Sequence, residues 1–114
     1  MRFTDSDETF LNQCFNAADA AKMGDREKCK QFMAYFKERL RAVPSARIRS
    51  HFKLKDLEEA ITWYKILIYA GYGPHEQDPR IKAMFTIIAK YIAENAAEQQ
   101  KRELMLEFIQ QEPD

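Results

Sequence analysis

The sequence predicts an all-α fold, a compact bundle of four to six helices forming one domain around a buried central helix. Three observations lead there. Only three Gly and four Pro interrupt 114 residues, too few for the many turns a sheet protein of this length needs. Apolar residues recur at helical spacing in one segment after another. One of those segments, LEEAITWYKILIYAGY at 57–72, is apolar nearly all round after its first turn, the pattern of a helix enclosed by others or half-buried in a subunit interface. The length suits a single domain, and eight Phe, five Tyr and one Trp supply a core.

The first helix is expected to begin near Asp5 or Ser6, where Asp5 and Glu8 have the spacing of an N-terminal cap pair. Phe10, Leu11, Cys14, Phe15, Ala18 and Ala21 then give it an apolar stripe. Gly24 is a natural stop, because glycine tolerates the left-handed backbone that follows many helices. Asp25 caps a second helix at once, so the two should form a tight antiparallel hairpin. Cys29, Phe32, Met33, Phe36, Leu40 and Val43 are its stripe, and Pro44 ends it. In 45–55, Ile48, Phe52 and Leu54 alternate with Arg47, Arg49, His51, Lys53 and Lys55. Alternation favours a strand, but a lone strand leaves its backbone groups unpaired. A short helix or turn capped by Ser45, with Ile48 and Phe52 facing inward, is the preferred reading. A strand paired across a dimer is the other.

Asp56 and Glu59 mark the start of the central helix, and Gly71, Gly73 and Pro74 break the chain after it. Asp78 then caps a helix with Pro79 at its first position and Ile81, Met84, Phe85, Ile88 and Ile92 as its stripe. No Pro or Gly separates residues 80 and 112. One straight helix there would run roughly 50 Å, against roughly 35 Å for a compact domain of this size. Either it breaks near Asn95 or it projects toward another molecule.

The stretch 10–44 resembles a tetratricopeptide-type helical hairpin. Gly24–Asp25 sits at the turn, Cys29 stands where that family has a small residue, and Pro44 follows the second helix. Pro44 comes about three residues late, the first helix lacks the family's Trp and Gly, and no second copy follows. The resemblance covers about a third of the chain and implies an antiparallel helix pair, not the family's repeats.

Charge is the most informative functional feature. The chain is neutral, yet residues 26–55 hold ten Lys/Arg against Glu27 and Glu38, a net of +8. Residues 1–25 carry −3 and residues 56–114 carry −5. Lys30, Lys37, Arg39, Arg41, Arg47, Arg49, Lys53 and Lys55 are the candidate binding residues, expected to share one surface. Arg adds forked donors for carboxylate or phosphate, and His51 beside Phe52 offers a stacking contact. Against that stands internal pairing with the acidic ends of the chain. Tyr69 and Tyr72, beside the glycine break, are candidate interface residues expected to be partly exposed. Trp63 is assigned to the core.

Chemistry finds little foothold. There is no phosphate loop, no HExxH and no nucleophile elbow. Cys14, Cys29, His51 and His75 lack the paired spacing of a structural zinc site. No enzyme activity, metal or cofactor is expected. No apolar run is long enough to span a bilayer, and the acidic N-terminus does not read as a signal peptide. Reduced thiols in a cytoplasmic setting are the expectation. The sequence thus points to a non-enzymatic adaptor or inhibitor that docks an acidic protein through 26–55. The alternative is a helical accessory subunit of a nucleoprotein assembly, and a homodimer joined through the 57–72 aromatics or the C-terminal helix is a third reading.

Overall fold

Helix boundaries follow from capping groups a few residues away. The computed structural model describes residues 5–48 and 52–111, and the side chains of 12–44, 46–48 and 52–110. Among the described residues there are five α-helices: α1 (Asp5–Met23), α2 (Arg26–Leu40), α3 (Leu57–Tyr69), α4 (Pro79–Asn95) and α5 (Glu98–Gln111), with a 3-10 turn at Ser45–Arg47. Among the described residues there is no strand. The Cα radius of gyration is 13.9 Å, near the roughly 13 Å of a compact chain of this length.

Asp25, Asp56 and Asp78 each turn a carboxylate onto a backbone N–H of the following helix, from Lys28, Glu59 and Arg80 at 3.1, 2.9 and 2.9 Å. Two helices end in the same way. Gly24 has φ 72°, its N–H donates to the Ala21 carbonyl, and the Asp25 N–H donates to that of Ala20. Gly71 has φ 94°, with Gly71 and Tyr72 donating to Ile68 and Leu67. These are paired C-terminal caps that need a left-handed residue, which glycine supplies without steric cost.

Helix α3 is central, as expected, and packs against all four others. Ala60, Ile66, Leu67, Ile68 and Tyr69 are its buried positions. The stripe of α4 is buried at Ile81, Met84, Phe85, Ile88 and Ile92, the same five positions that the spacing indicates. On α2, Cys29, Phe32, Met33 and Phe36 are buried. The helix stops at Leu40, so Val43 lies beyond it in a turn.

Helix α1 departs from its expected face. Ala17, Ala20 and Ala21 are buried, Cys14 and Ala18 only partly, and Phe15 is 67% exposed. Small side chains let α1 lie close to α2 and α3, and Phe15 is too large for that seam. Phe10 and Leu11 lie outside the described side chains, as do Asp5, Glu8 and the Ser45 cap.

The ambiguous segment opens with the 3-10 turn at Ser45–Arg47 and has no regular structure over 52–55. Ile48 is fully buried, and the Phe52 N–H donates to its carbonyl at 2.7 Å. The Phe52 ring stands edge-on to Trp63, 5.2 Å between centroids. Trp63 also meets Phe32 and Phe36 at 5.7 and 5.1 Å, which ties 45–55 to α2.

The long C-terminal helical stretch breaks. Ala96 is extended (φ −87°, ψ 149°), and the Gln100 side chain reaches back to the Ala97 N–H at 3.0 Å. This is the return half of a capping box. Helix α5 then folds against α3. Leu104 is buried, Tyr64 donates to its carbonyl at 3.1 Å, and the Tyr69 hydroxyl donates to the Glu107 carboxylate. Gly73 lets the Phe108 ring approach the loop, since a Cβ there would sit 3.3 Å from it.

Candidate functional site

The described cations of the basic segment do not share one surface. On a helix with 3.6 residues per turn, Lys30, Lys37 and Arg41 fall within about 40° of one another, whereas Arg39 lies about 180° from Lys30. The contacts agree. Lys37 faces the loop before α4: its Nζ lies 3.9 Å from Asp78 Oδ2 and 5.6 Å from the Tyr72 ring centroid. Arg39 instead acts on the Cys14 thiol of α1, lowering a pKa that burial pushes up to about 11. Lys55 lines a third place, a groove of about 440 Å³ between α1 and α3 with Cys14, Phe15, Lys22 and Trp63 in its walls.

Lys30, Arg39, Arg41, Arg47, Lys53 and Lys55 are all exposed, and Lys37 is partly so. Arg49 and His51 lie outside the described residues. Lys30, Lys53 and Lys55 make no ion pair among the described residues. Arg41 meets Glu38 of its own helix at 3.1 Å, with both side chains largely in solvent. Lys37 finds Asp78 in the loop before α4, while Glu98 of α5 meets Lys101 and Glu107 meets Tyr69.

One residue joins the flank from far away in sequence. Arg80, at the start of α4, donates from Nε to the Val43 carbonyl at 2.6 Å. Lys37, Glu38, Leu40, Arg41, Asp78 and Arg80 thereby enclose a notch of about 150 Å³. Sequence reasoning misses Arg80 because it stands 39 positions after Arg41, in the acidic part of the chain. No spacing rule links the two, and only the packing of the α4 N-terminus beside the end of α2 does.

The aromatic candidates separate. Tyr72 is half-buried beneath Lys37. Tyr69 is 7% exposed, contrary to expectation, because its ring belongs to the core and its hydroxyl holds α5. Trp63 is half-buried, packed on the core. The Tyr64 hydroxyl is pushed up to about 12 by burial and then by the Glu107 carboxylate, so it stays protonated and donates.

A further concavity lies among α3, α4 and α5, an apolar slot of about 320 Å³ lined by Tyr64, Phe85, Ile92, Leu104 and Phe108. Met105 lies on its edge, and with Leu106 and Ile109 it is more than half exposed. Together the three expose on the order of 300 Å², no more than the largest apolar patch of an ordinary monomer. A stable dimer buries about 800 Å² on each partner, so this patch alone does not define one.

Among the described residues no group of three or more His, Cys, Asp or Glu is placed to hold a metal ion, and no helix is long and apolar enough to cross a membrane. Comparison with protein-family models, with curated proteins and with solved structures finds no match. What the site offers chemically is a set of cationic donors, forked at Arg41 and Arg80, where one side of α2 meets the start of α4.

Proposed function

We propose that this protein is a non-enzymatic binding protein of the adaptor or inhibitor type, and that it docks an anionic protein surface through residues 26–55. The leading edge is the α2 flank with Lys30, Lys37 and Arg41, about 16 Å long at 1.5 Å per residue. The observation that carries this reading is the exposure of Lys30, Arg41, Lys53 and Lys55 in a segment that carries +8 in a neutral chain. Complementary charge speeds encounter and restricts partner choice. Two free cysteines, Cys29 fully buried, support a reducing, cytoplasmic setting.

The test is a purification of the tagged chain from its own cells, with and without nuclease, followed by binding of the recovered partner to a variant carrying Lys30→Glu, Arg41→Glu and Lys53→Glu. These three side chains are exposed, so the helical circular dichroism should not change. A protein partner retained after nuclease and bound at least tenfold more weakly by the variant is the expected result. Unchanged binding refutes the proposal. A partner lost with nuclease, through an affinity that falls steeply with salt, replaces it with the nucleoprotein reading.

A further inference from the structure

We propose that the notch between Lys37, Arg41 and Arg80 is a receptor for one carboxylate of the docked partner, a glutamate side chain on an acidic surface. This rests on the docking function proposed above and names the group recognised.

The notch is built from two elements. Lys37 and Arg41 come from the last turns of α2, and Arg80 from the first turn of α4. Arg80 is fixed by its 2.6 Å bond to Val43, which uses one of the five donors of the guanidinium and leaves the rest of the fork. A fork held in advance loses less entropy when it takes a carboxylate. Lys37 rests over Tyr72 and reaches Asp78 only at 3.9 Å. Asp78 is already engaged, since its Oδ1 caps α4 through the Arg80 N–H at 2.9 Å. Glu38 engages Arg41 only weakly: the two side chains are 69% and 76% exposed, and an exposed pair of this kind contributes about 0–1 kcal/mol, so Arg41 can turn its fork to a second carboxylate while Glu38 stays at the rim.

Charge decides which anion fits. Three cations stand against two carboxylates, Glu38 and Asp78, so the notch carries one net positive charge. One carboxylate neutralises it. A phosphate monoester, with about −1.5 to −2, overshoots and faces both acids. The half-buried Leu40 adds an apolar wall for the methylene stem of a glutamate.

The experiment titrates the full chain at low salt with a peptide of six glutamates, followed by calorimetry and by the arginine Nε–H resonances in NMR. Arg80→Lys keeps the charge and removes the fork. Arg41→Gln is a largely exposed change that leaves folding intact. Lys55→Gln, in the other groove, is the control. The expected result is that the Arg80 and Arg41 resonances move, that Arg80→Lys and Arg41→Gln each weaken binding at least fivefold, and that Lys55→Gln changes it less than twofold. Binding by the wild type that neither arginine variant weakens overturns the notch and leaves the docking reading standing. A peptide with one glutamate replaced by phosphoserine that binds more tightly, with larger shifts at Arg80, overturns the carboxylate assignment. No binding by the wild type overturns the docking reading together with the notch.

Discussion

Replacing Trp63 by alanine should remove the post on which the basic segment stands. The indole meets three rings, Phe32, Phe36 and Phe52, with centroids 5.7, 5.1 and 5.2 Å away. A fully buried large aromatic cut to alanine costs about 3–5 kcal/mol. Trp63 is half-buried, which lowers the transfer part, while three ring contacts at about 0.5–1.5 kcal/mol each restore some of it. The expected loss is therefore about 3 kcal/mol, less than the roughly 5–15 kcal/mol that holds a domain together. The variant should still fold. Because Trp63 is the one tryptophan, tryptophan emission is lost with it, and urea unfolding is best followed by far-ultraviolet circular dichroism. Trp63→Phe should recover about half of the loss. The local consequence is sharper. Phe52 leans edge-on against Trp63, and its N–H closes the turn from Ile48. Amide exchange at Phe52 should accelerate in Trp63→Ala more than exchange at Leu67 in α3. A loss below about 1 kcal/mol, or a Phe52 amide as protected as before, would refute the claim that Trp63 anchors 45–55.

Tyr69→Phe removes the hydroxyl that holds Glu107; about 1.5–3 kcal/mol is expected from a hydrogen bond to a charged group, with faster amide exchange in α5, and unchanged exchange there would show that α5 is held otherwise. Gly24→Ala and Gly71→Ala place a Cβ at φ 72° and 94° in otherwise open surroundings, so each should lower stability by about 1 kcal/mol from backbone strain alone, measured by the urea midpoint. Cys29, fully buried, should resist thiol reagents until the chain unfolds, whereas partly exposed Cys14 should react slowly in the native state. Burial is the first cause raising both thiols from 9.0 to about 11, opposed at Cys14 by Arg39 and reinforced at Cys29 by Asp25. The unfolded chain therefore gives up these protons first, so stability is fully present below about pH 9 and falls as pH rises toward about 11. A Cys14→Ser, Cys29→Ala double variant should show a flatter pH dependence of its urea midpoint across that window, and an identical slope would sink the linkage.

The elements themselves were legible in the sequence because their causes are local. Asp25, Asp56 and Asp78 cap helices two or three residues ahead, and Gly24 and Gly71 close helices behind them. The α4 stripe is a matter of spacing, and so is the parting of Arg39 from Lys30, which about two and a half turns place on opposite faces of one helix and which nearness in sequence conceals. The residues leave open whether 80–112 breaks near Asn95 or projects; α5 folding back on α3 takes the break, closed locally by the Gln100 return bond. Long-range packing decided the rest. Alanines in α1 turn inward and Phe15 outward because the seam with α3 admits only small side chains. Tyr69 is buried because α5 folds back over it, which sends Leu104 inward and leaves Met105, Leu106 and Ile109 outside. Arg80 reaches Lys37 and Arg41 because the α4 N-terminus lies beside the end of α2. Residue order alone marks the starts of α2, α3 and α4 and the glycine-closed ends of α1 and α3, since a cap depends on neighbours within a turn or two. Only the tertiary structure decided which charges meet, since that depends on residues almost forty positions apart.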